Sequence, residues 1–484
     1  MTLTEARADD RARPKPTKSG WFRAFWRWHF YASFVVAPIL LILATTGLIY
    51  LFRFEIEPLM HGDLMRAEQP ADIDIKQPYA AQLAAVERAY PDASVEAMTE
   101  PGQFGDSTRF SIVTADGEPR DVYVNPWGAE VLGDINPDET LSGYAIRIHG
   151  ELMAGTWGDR VIELGACWAI VMALTGYYLF FKGRAARLRR SAARAAGAAL
   201  TKWHAWVGAV IGVGLLGLLV TGLPWTGFWG EKAQSIATDN GQSFWSVDPG
   251  AASDPTSTLD ESLPHSHAHE VPWAQGGIEV PESQGDAGKH GNNVANVDTA
   301  IEVAEGEGLR HPMTVTIPGG TGAGHGGHGG GSGDGVYSVI GYAFDAPSEE
   351  KTVHVDQYGG QTVATYGFDD YPMLAKVVSQ GIGLHEGRSF GLWSFWGAAL
   401  MCLAVIFACV SGPLMWWKRR PSGSPSVGAP RGRLPLRASP VLLVGLVALG
   451  LFLPLFGLSL LLVLAFDQLV LRRVPALGEW FNVS

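Results

Sequence analysis

Apolar residues in this chain gather into runs long enough to cross a bilayer: near 30–52, 161–181, 205–228, 391–417 and 439–470. A helix needs roughly 20 apolar residues to cross about 30 Å of hydrocarbon, so the first four runs predict one span each. The fifth holds about 30 residues, too many for one crossing at about 1.5 Å per residue. Pro454 and Gly457 near its middle predict either a kinked span or a helical hairpin. Between the runs the pattern changes. Residues 78–90, "PYAAQLAAVERAY", and 297–307, "VDTAIEVAEGE", have the period of short amphipathic helices. The alternation in "RFSIVTA" marks half-buried strands over 108–114 and 120–124, and similar runs lie near 312–317, 336–343 and 351–355. Each set predicts a small α+β unit, one helix on an antiparallel sheet.

Positive charge orients the spans, because short loops rich in Lys and Arg stay cytoplasmic. Such residues crowd before the first span, in "KGRAARLRR" between the second and third, and in "KRRPSGSPSVGAPRGRLPLR" after the fourth. The expected plan is a cytoplasmic basic leader (1–27), a first span (28–52), an external domain (53–160), a second span (161–182) and a basic loop (183–202). A third span (203–229), a second external domain (230–388), a fourth span (389–417), a second basic loop (418–438), a span or hairpin (439–471) and a tail (472–484) follow. The first run is too long for a signal-peptide core and is expected to stay as an anchor.

Composition agrees with this plan. Of 484 residues 47% are hydrophobic and only 17% charged, with 17 Trp, outside the range of an ordinary soluble domain. The net charge of -12 sits mainly in the external segments and speaks against nucleic-acid binding, while the basic loops suit anionic lipid headgroups. Cys167, Cys402 and Cys409 all fall in predicted spans, so no disulfide staples an external domain.

The chain also repeats itself. His29 precedes the pair Thr46-Gly47 by 17 residues, and His204 precedes Thr221-Gly222 by 17. His149 precedes Thr175-Gly176 by 26, and His385 precedes Ser411-Gly412 by 26. A parallel two-fold repeat along the membrane normal would face His29 with His204 near the cytoplasmic surface and His149 with His385 near the external one. One histidine at an interface is ordinarily a hydrogen-bonded surface residue; four at repeated offsets point to ligation. Two imidazoles per face, with no cysteine nearby, suit a six-coordinate b-type haem in a four-helix bundle rather than zinc. The expected cofactor is therefore two bis-histidine haems. Arg27 and Lys202 either pair with haem propionates or are plain positive-inside residues. The small-residue pairs would let helices, or a flat macrocycle, approach closely, and read first as helix-packing positions. His265, His267, His269, His325 and His328, in a Gly- and His-rich insertion over about 250–335, read either as a flexible linker or as loose metal ligands.

In order along the chain, "WRWHFYASFVVAPILLILATTGL", "VNPWGAEVLG", His149, "WHAWVGAVIG" and His385 resemble the PepSY-associated transmembrane proteins. The resemblance implies an α-helical integral membrane protein of the bacterial inner membrane, a four-helix haem-binding bundle with a C-terminal hydrophobic helix or hairpin and two small periplasmic PepSY-like α+β domains. It also implies a haem-dependent reductase that takes electrons from a cytoplasmic donor, a separate reductase or quinol, and reduces a ferric siderophore or other iron chelate. The turns at Trp127 and Tyr358 are the expected docking surface. A proton-coupled transporter and a non-enzymatic interaction module remain as alternatives.

Overall fold

The computed structural model describes residues 18–193, 197–242, 257–258, 272, 274–283, 295–319, 335–341, 343, 345–418, 429 and 440–482. Four long helices correspond to the first four apolar runs: Lys18–Leu51, Gly155–Lys182, Ala198–Gly222 and Leu392–Trp417. Each is long and apolar enough to cross a membrane. They leave large apolar side chains such as Phe34, Val210 and Leu400 exposed. Water would penalise such a surface; lipid does not. The second span begins at Gly155, six residues ahead of the sequence boundary, because polar Thr156 and Asp159 are accommodated in its first turns.

The chain divides into two compact units. One comprises Met1–Leu41, Glu163–Leu219 and Ala404–Ser484. Within it the first and second spans meet where Gly165 lies against Ile39, so closely that a Cβ would sit 2.8 Å from the Ile39 side chain. The fifth apolar run belongs here and is a hairpin. Helices Pro440–Phe452 and Pro454–Phe466 are 13 residues each, about 20 Å long at 1.5 Å per residue. The chain doubles back at Leu453-Pro454, bringing Gly450 and Gly457 into contact: a Cβ on Gly450 would stand 3.2 Å from the Gly457 Cα. Proline breaks the helix and the two glycines permit the close turn. The tip is buried, with Leu453 and Phe456 at 1% and 0% exposure. It docks on the middle of the second span through the Phe456–Trp168 ring contact at 5.0 Å and a hydrogen bond from Trp168 Nε1 to Ser459 Oγ of 2.9 Å. Backbone turned at membrane depth needs such protein cover. The returning arm ends at the start of the first span. There Arg27 donates to the carbonyls of Phe481 and Asn482 at 3.0 and 3.1 Å, and Tyr31 to that of Phe481 at 2.7 Å. Pro454–Leu471 is apolar enough to cross a membrane, yet both hairpin arms open toward the same end of the spans.

The other unit comprises Ile42–Ile162 and Val220–Leu403. Its centre is an eight-stranded antiparallel sheet. The strands are β1 (Ser94–Thr99), β2 (Thr108–Val113), β3 (Pro119–Asn125), β4 (Glu130–Ile135), β7 (Thr314–Thr316), β8 (Val336–Ile340), β9 (Lys351–Asp356) and β10 (Thr362–Gly367). β5 (Ser257–Thr258) and β6 (Glu279–Val280) form a separate pair. The sheet order is β10-β9-β8-β7-β1-β2-β3-β4. Two sets of one helix and four strands, Tyr79–Ala89 with β1–β4 and Val297–Gly306 with β7–β10, are thus joined through their first strands, Met98 opposite Val315. The expected two small domains are one continuous sheet. A strand's side-chain period tells which face is buried but not which edge it meets. Both helices pack over a common core that includes Val86, Met98, Phe110, Ala300, Val315 and Val353. Asp298, on the second helix, caps the first by accepting from the backbone N–H groups of Tyr79 (2.8 Å) and Ala80 (2.9 Å), a contact of the kind that contributes about 1 kcal/mol. The two hairpin turns repeat as well. Asn125 Oδ1 accepts from Trp127 N at 3.0 Å, and Asp356 Oδ1 accepts from Tyr358 N at 2.8 Å.

Candidate functional site

His149 is in the last turn of the short helix Leu141–Glu151, ahead of the second span rather than on it. Thr140 Oγ1 accepts from Gly143 N at 3.0 Å to start that helix, and the buried Glu57 carboxylate accepts from Ser142 N at 2.6 Å. A carboxylate at this end also meets the favourable pole of the helix dipole. Leu152 and Met153, at φ 52° and 53°, end the helix in left-handed conformation. Gly158 then lets the span pass beneath the Glu151 carbonyl, which a Cβ would overlap.

His385 has the same station in the second half, at the end of helix Met373–His385. Glu350, at the lip of β9, fixes this helix: its carboxylate accepts from Ser379 Oγ (2.9 Å) and from Tyr371 Oη (3.0 Å). Burial pushes the Glu350 carboxyl above its ordinary pKa.

Each of the four histidines rests in a cradle made by one hydroxyl residue of a facing span. Nδ1 of His149 is 3.0 Å from Thr46 Oγ1, and Nδ1 of His385 is 3.0 Å from Thr221 Oγ1. In the other unit, Nδ1 of His29 is 3.3 Å from Thr175 Oγ1 and 3.0 Å from the Met172 carbonyl, and Nδ1 of His204 is 2.7 Å from Ser411 Oγ. The glycine after the hydroxyl gives the ring its space. A Cβ on Gly47, Gly176 or Gly222 would stand 3.3, 3.2 or 3.3 Å from the Cε1 of His149, His29 or His385. Gly412 differs, with nothing within 4 Å of such a Cβ.

The rings of His149 and His385 lie side by side, centroids 6.3 Å apart and planes at 84°. Two imidazoles on one metal, through bonds of about 2.0–2.1 Å and about 1.1 Å from each nitrogen to its ring centre, have centres about 6.3 Å apart. The observed separation is compatible with two rings on opposite sides of one metal, and the metal does not restrict the angle between the ring planes. His29 and His204 are held separately, each by the second span of its own half. Among the described residues no three His, Cys, Asp or Glu side chains gather to hold a metal ion.

Arg27 is engaged at the tail carbonyls described above, and Lys202 is exposed on the third span. His265, His267, His269, His325 and His328 lie outside the described residues. Trp127 itself is covered within its turn. It is 2% exposed beneath Phe104, whose ring meets it at 5.5 Å, so the exposed aromatic at that turn is Phe104.

Sequence reasoning assigned Thr46, Thr175, Thr221 and Ser411 to helix packing and missed that they hold the histidines. The available signal was numerical: four histidines and four hydroxyl-glycine pairs at two repeated offsets. It also passed over Glu57, Glu350 and Glu163, the last fully buried within the second span, where ionisable groups are costly.

No curated protein matches the chain. The family model described as PepSY-associated TM region matches residues 26–419, a stretch that runs from two residues before the first "WHF" to the end of the fourth span. On that match, and with several helices long and apolar enough to cross a membrane, the chain belongs to the PepSY-associated TM region family and is a multi-pass membrane protein.

Proposed function

We propose that this protein carries electrons across the membrane through two bis-histidine b-type haems, from a cytoplasmic donor to a ferric siderophore or other ferric chelate on the periplasmic side. The observation that carries the reading is the 6.3 Å separation of the His149 and His385 ring centres. Haem bound there would supply a one-electron carrier whose iron has no open coordination position. His149 and His385 would hold one group, and His29 with His204, by the repeat, would hold the second. The hydroxyl cradles orient the rings, and Gly47, Gly176 and Gly222 keep space beside them. Glu57 and Glu350 fix the two short helices that bring His149 and His385 to the site. Seventeen residues separate His29 from Thr46 along the sequence, about 26 Å of helix, a spacing that would suit two haems placed toward opposite faces of a core of about 30 Å. Basic loops at the His29 level favour placing it on the cytoplasmic side.

The test is an absorption spectrum of the protein purified in detergent after expression with haem supply, before and after dithionite. A Soret band with sharp reduced α and β bands is the expected result. Protein that carries no haem under those conditions overturns the reading. Membranes given a cytoplasmic reductant should then reduce a ferric chelate supplied on the periplasmic side.

A further inference from the structure

The hydroxyl cradles specify more than ring position. Thr46 Oγ1 donates its single hydrogen within its own helix, to the Ile42 carbonyl at 2.9 Å or the Leu43 carbonyl at 3.2 Å. Thr175 does the same toward Val171 (2.9 Å) or Met172 (3.0 Å), and Ser411 toward Ala408 (3.2 Å). A hydroxyl whose hydrogen is spent on its own helix can only accept from a further partner. The partner in each case is an imidazole Nδ1, at 3.0 Å for His149, 3.3 Å for His29 and 2.7 Å for His204. With the hydroxyl hydrogens directed to those carbonyls, Nδ1 is the donor of each contact. His29 gives the same answer independently, since its Nδ1 also lies 3.0 Å from the Met172 carbonyl, which has no hydrogen to give. Neutral imidazole protonated on Nδ1 carries its lone pair on Nε2.

We infer that Thr46, Thr175, Thr221 and Ser411 are positioning residues that lock the four histidines in the Nδ1–H tautomer, making Nε2 the ligating nitrogen and tuning the metal it binds. Thr221 is included because it stands at the repeat position of Thr46 and at the same 3.0 Å from His385 Nδ1. An Nδ1–H donated to an oxygen makes the imidazole a stronger electron donor. Such a ligand favours ferric over ferrous iron and lowers the reduction potential. The tuning arm rests on the haem reading; the tautomer arm does not.

Two measurements separate these arms. In haem-free protein labelled with 15N-histidine at neutral pH, the ring nitrogen shifts of His204, identified by their loss in His204→Gln, should report the Nδ1–H tautomer. Ser411→Ala should turn that signal into a mixture, and Ser411→Thr should restore it. In haem-loaded protein, Ser411→Ala should raise the potential of one of two haem transitions, the one lost in His204→Ala. Thr221→Val should raise the other, and Thr221→Ser should return it. An Nε2–H tautomer at His204 in the unaltered protein, or a tautomer and potentials that Ser411→Ala and Thr221→Val leave unmoved, overturns the inference. Protein that takes up no haem removes the proposed function, and the tautomer result still decides this proposal.

Discussion

Trp168 donates its indole N–H to Ser459 at 2.9 Å, pinning the tip of the C-terminal hairpin to the middle of the second span. Phe456 packs on the same indole, and the far end of the returning arm is tied to Arg27. Both arms therefore enter and leave at one face. In a cysteine-free background, thiols placed at Val441, Trp480 and Leu188 should all react with an impermeant reagent added from the same side. Reaction of Val441→Cys from the opposite side only would make the segment a crossing helix. Ser459→Ala leaves the indole and its Phe456 contact in place but removes the hydrogen bond, and should lower the melting temperature in line with about 1 kcal/mol.

Glycine positions in the cradles provide a graded test. Alanine raises helix propensity by about 1 kcal/mol relative to glycine, so any loss must come from the added methyl. Gly47→Ala, Gly176→Ala and Gly222→Ala each press that methyl to within 3.2–3.3 Å of a histidine Cε1. Each should displace its ring and lower the haem retained per polypeptide on gel filtration. Gly412→Ala, which meets nothing within 4 Å, should retain the full amount. Equal retention in all four variants would separate the glycines from the site.

Acid should weaken the sheet through His354. This ring is fully buried in β9, with Nδ1 2.9 Å from Ser338 Oγ and Nε2 2.9 Å from Tyr366 Oη, and burial lowers its pKa to about 3. The folded value is below the unfolded one of about 6.5, so the neutral ring's contribution is complete above pH 6.5 and declines as pH falls toward 3. The slope is about 1.4 kcal/mol per pH unit for one proton. Melting temperatures between pH 7 and 4 should fall in the unaltered protein and fall less steeply in His354→Gln, which does not titrate. Parallel slopes in the two proteins would assign the acid sensitivity elsewhere.

Much of this architecture was legible in the chain because it rests on periodicity. The four spans and the helices at 79–89 and 297–306 appear at their expected places, as do β2, β3, β8 and β9. β1 did not, because its four central residues are all buried and the strand shows no alternation. β4 and β10 were hidden in stretches read as turns, although each pairs with the strand before it. The fusion of two sheets through β1 and β7 depends on an edge contact between segments more than 200 residues apart, which no local pattern encodes. The offsets of 17 and 26 identified the histidines and the hydroxyl-glycine pairs but could not match them. Spacing along one helix does not say which neighbour a side chain meets, and Thr46 serves His149 rather than His29.

The pairing of histidines is the central claim, and haem stoichiometry in the unaltered protein and three variants tests it most directly. Haem is counted per polypeptide by pyridine haemochrome in the unaltered protein, in His149→Ala, in His149→Ala with His385→Ala, and in His149→Ala with His29→Ala. The account predicts two haems, then one, then one, because His149 and His385 act in a single site and their losses do not add. It predicts none in the last variant, where one ligand of each site is gone. A haem-free His149/His385 variant, or a His149/His29 variant that keeps one haem, would contradict it.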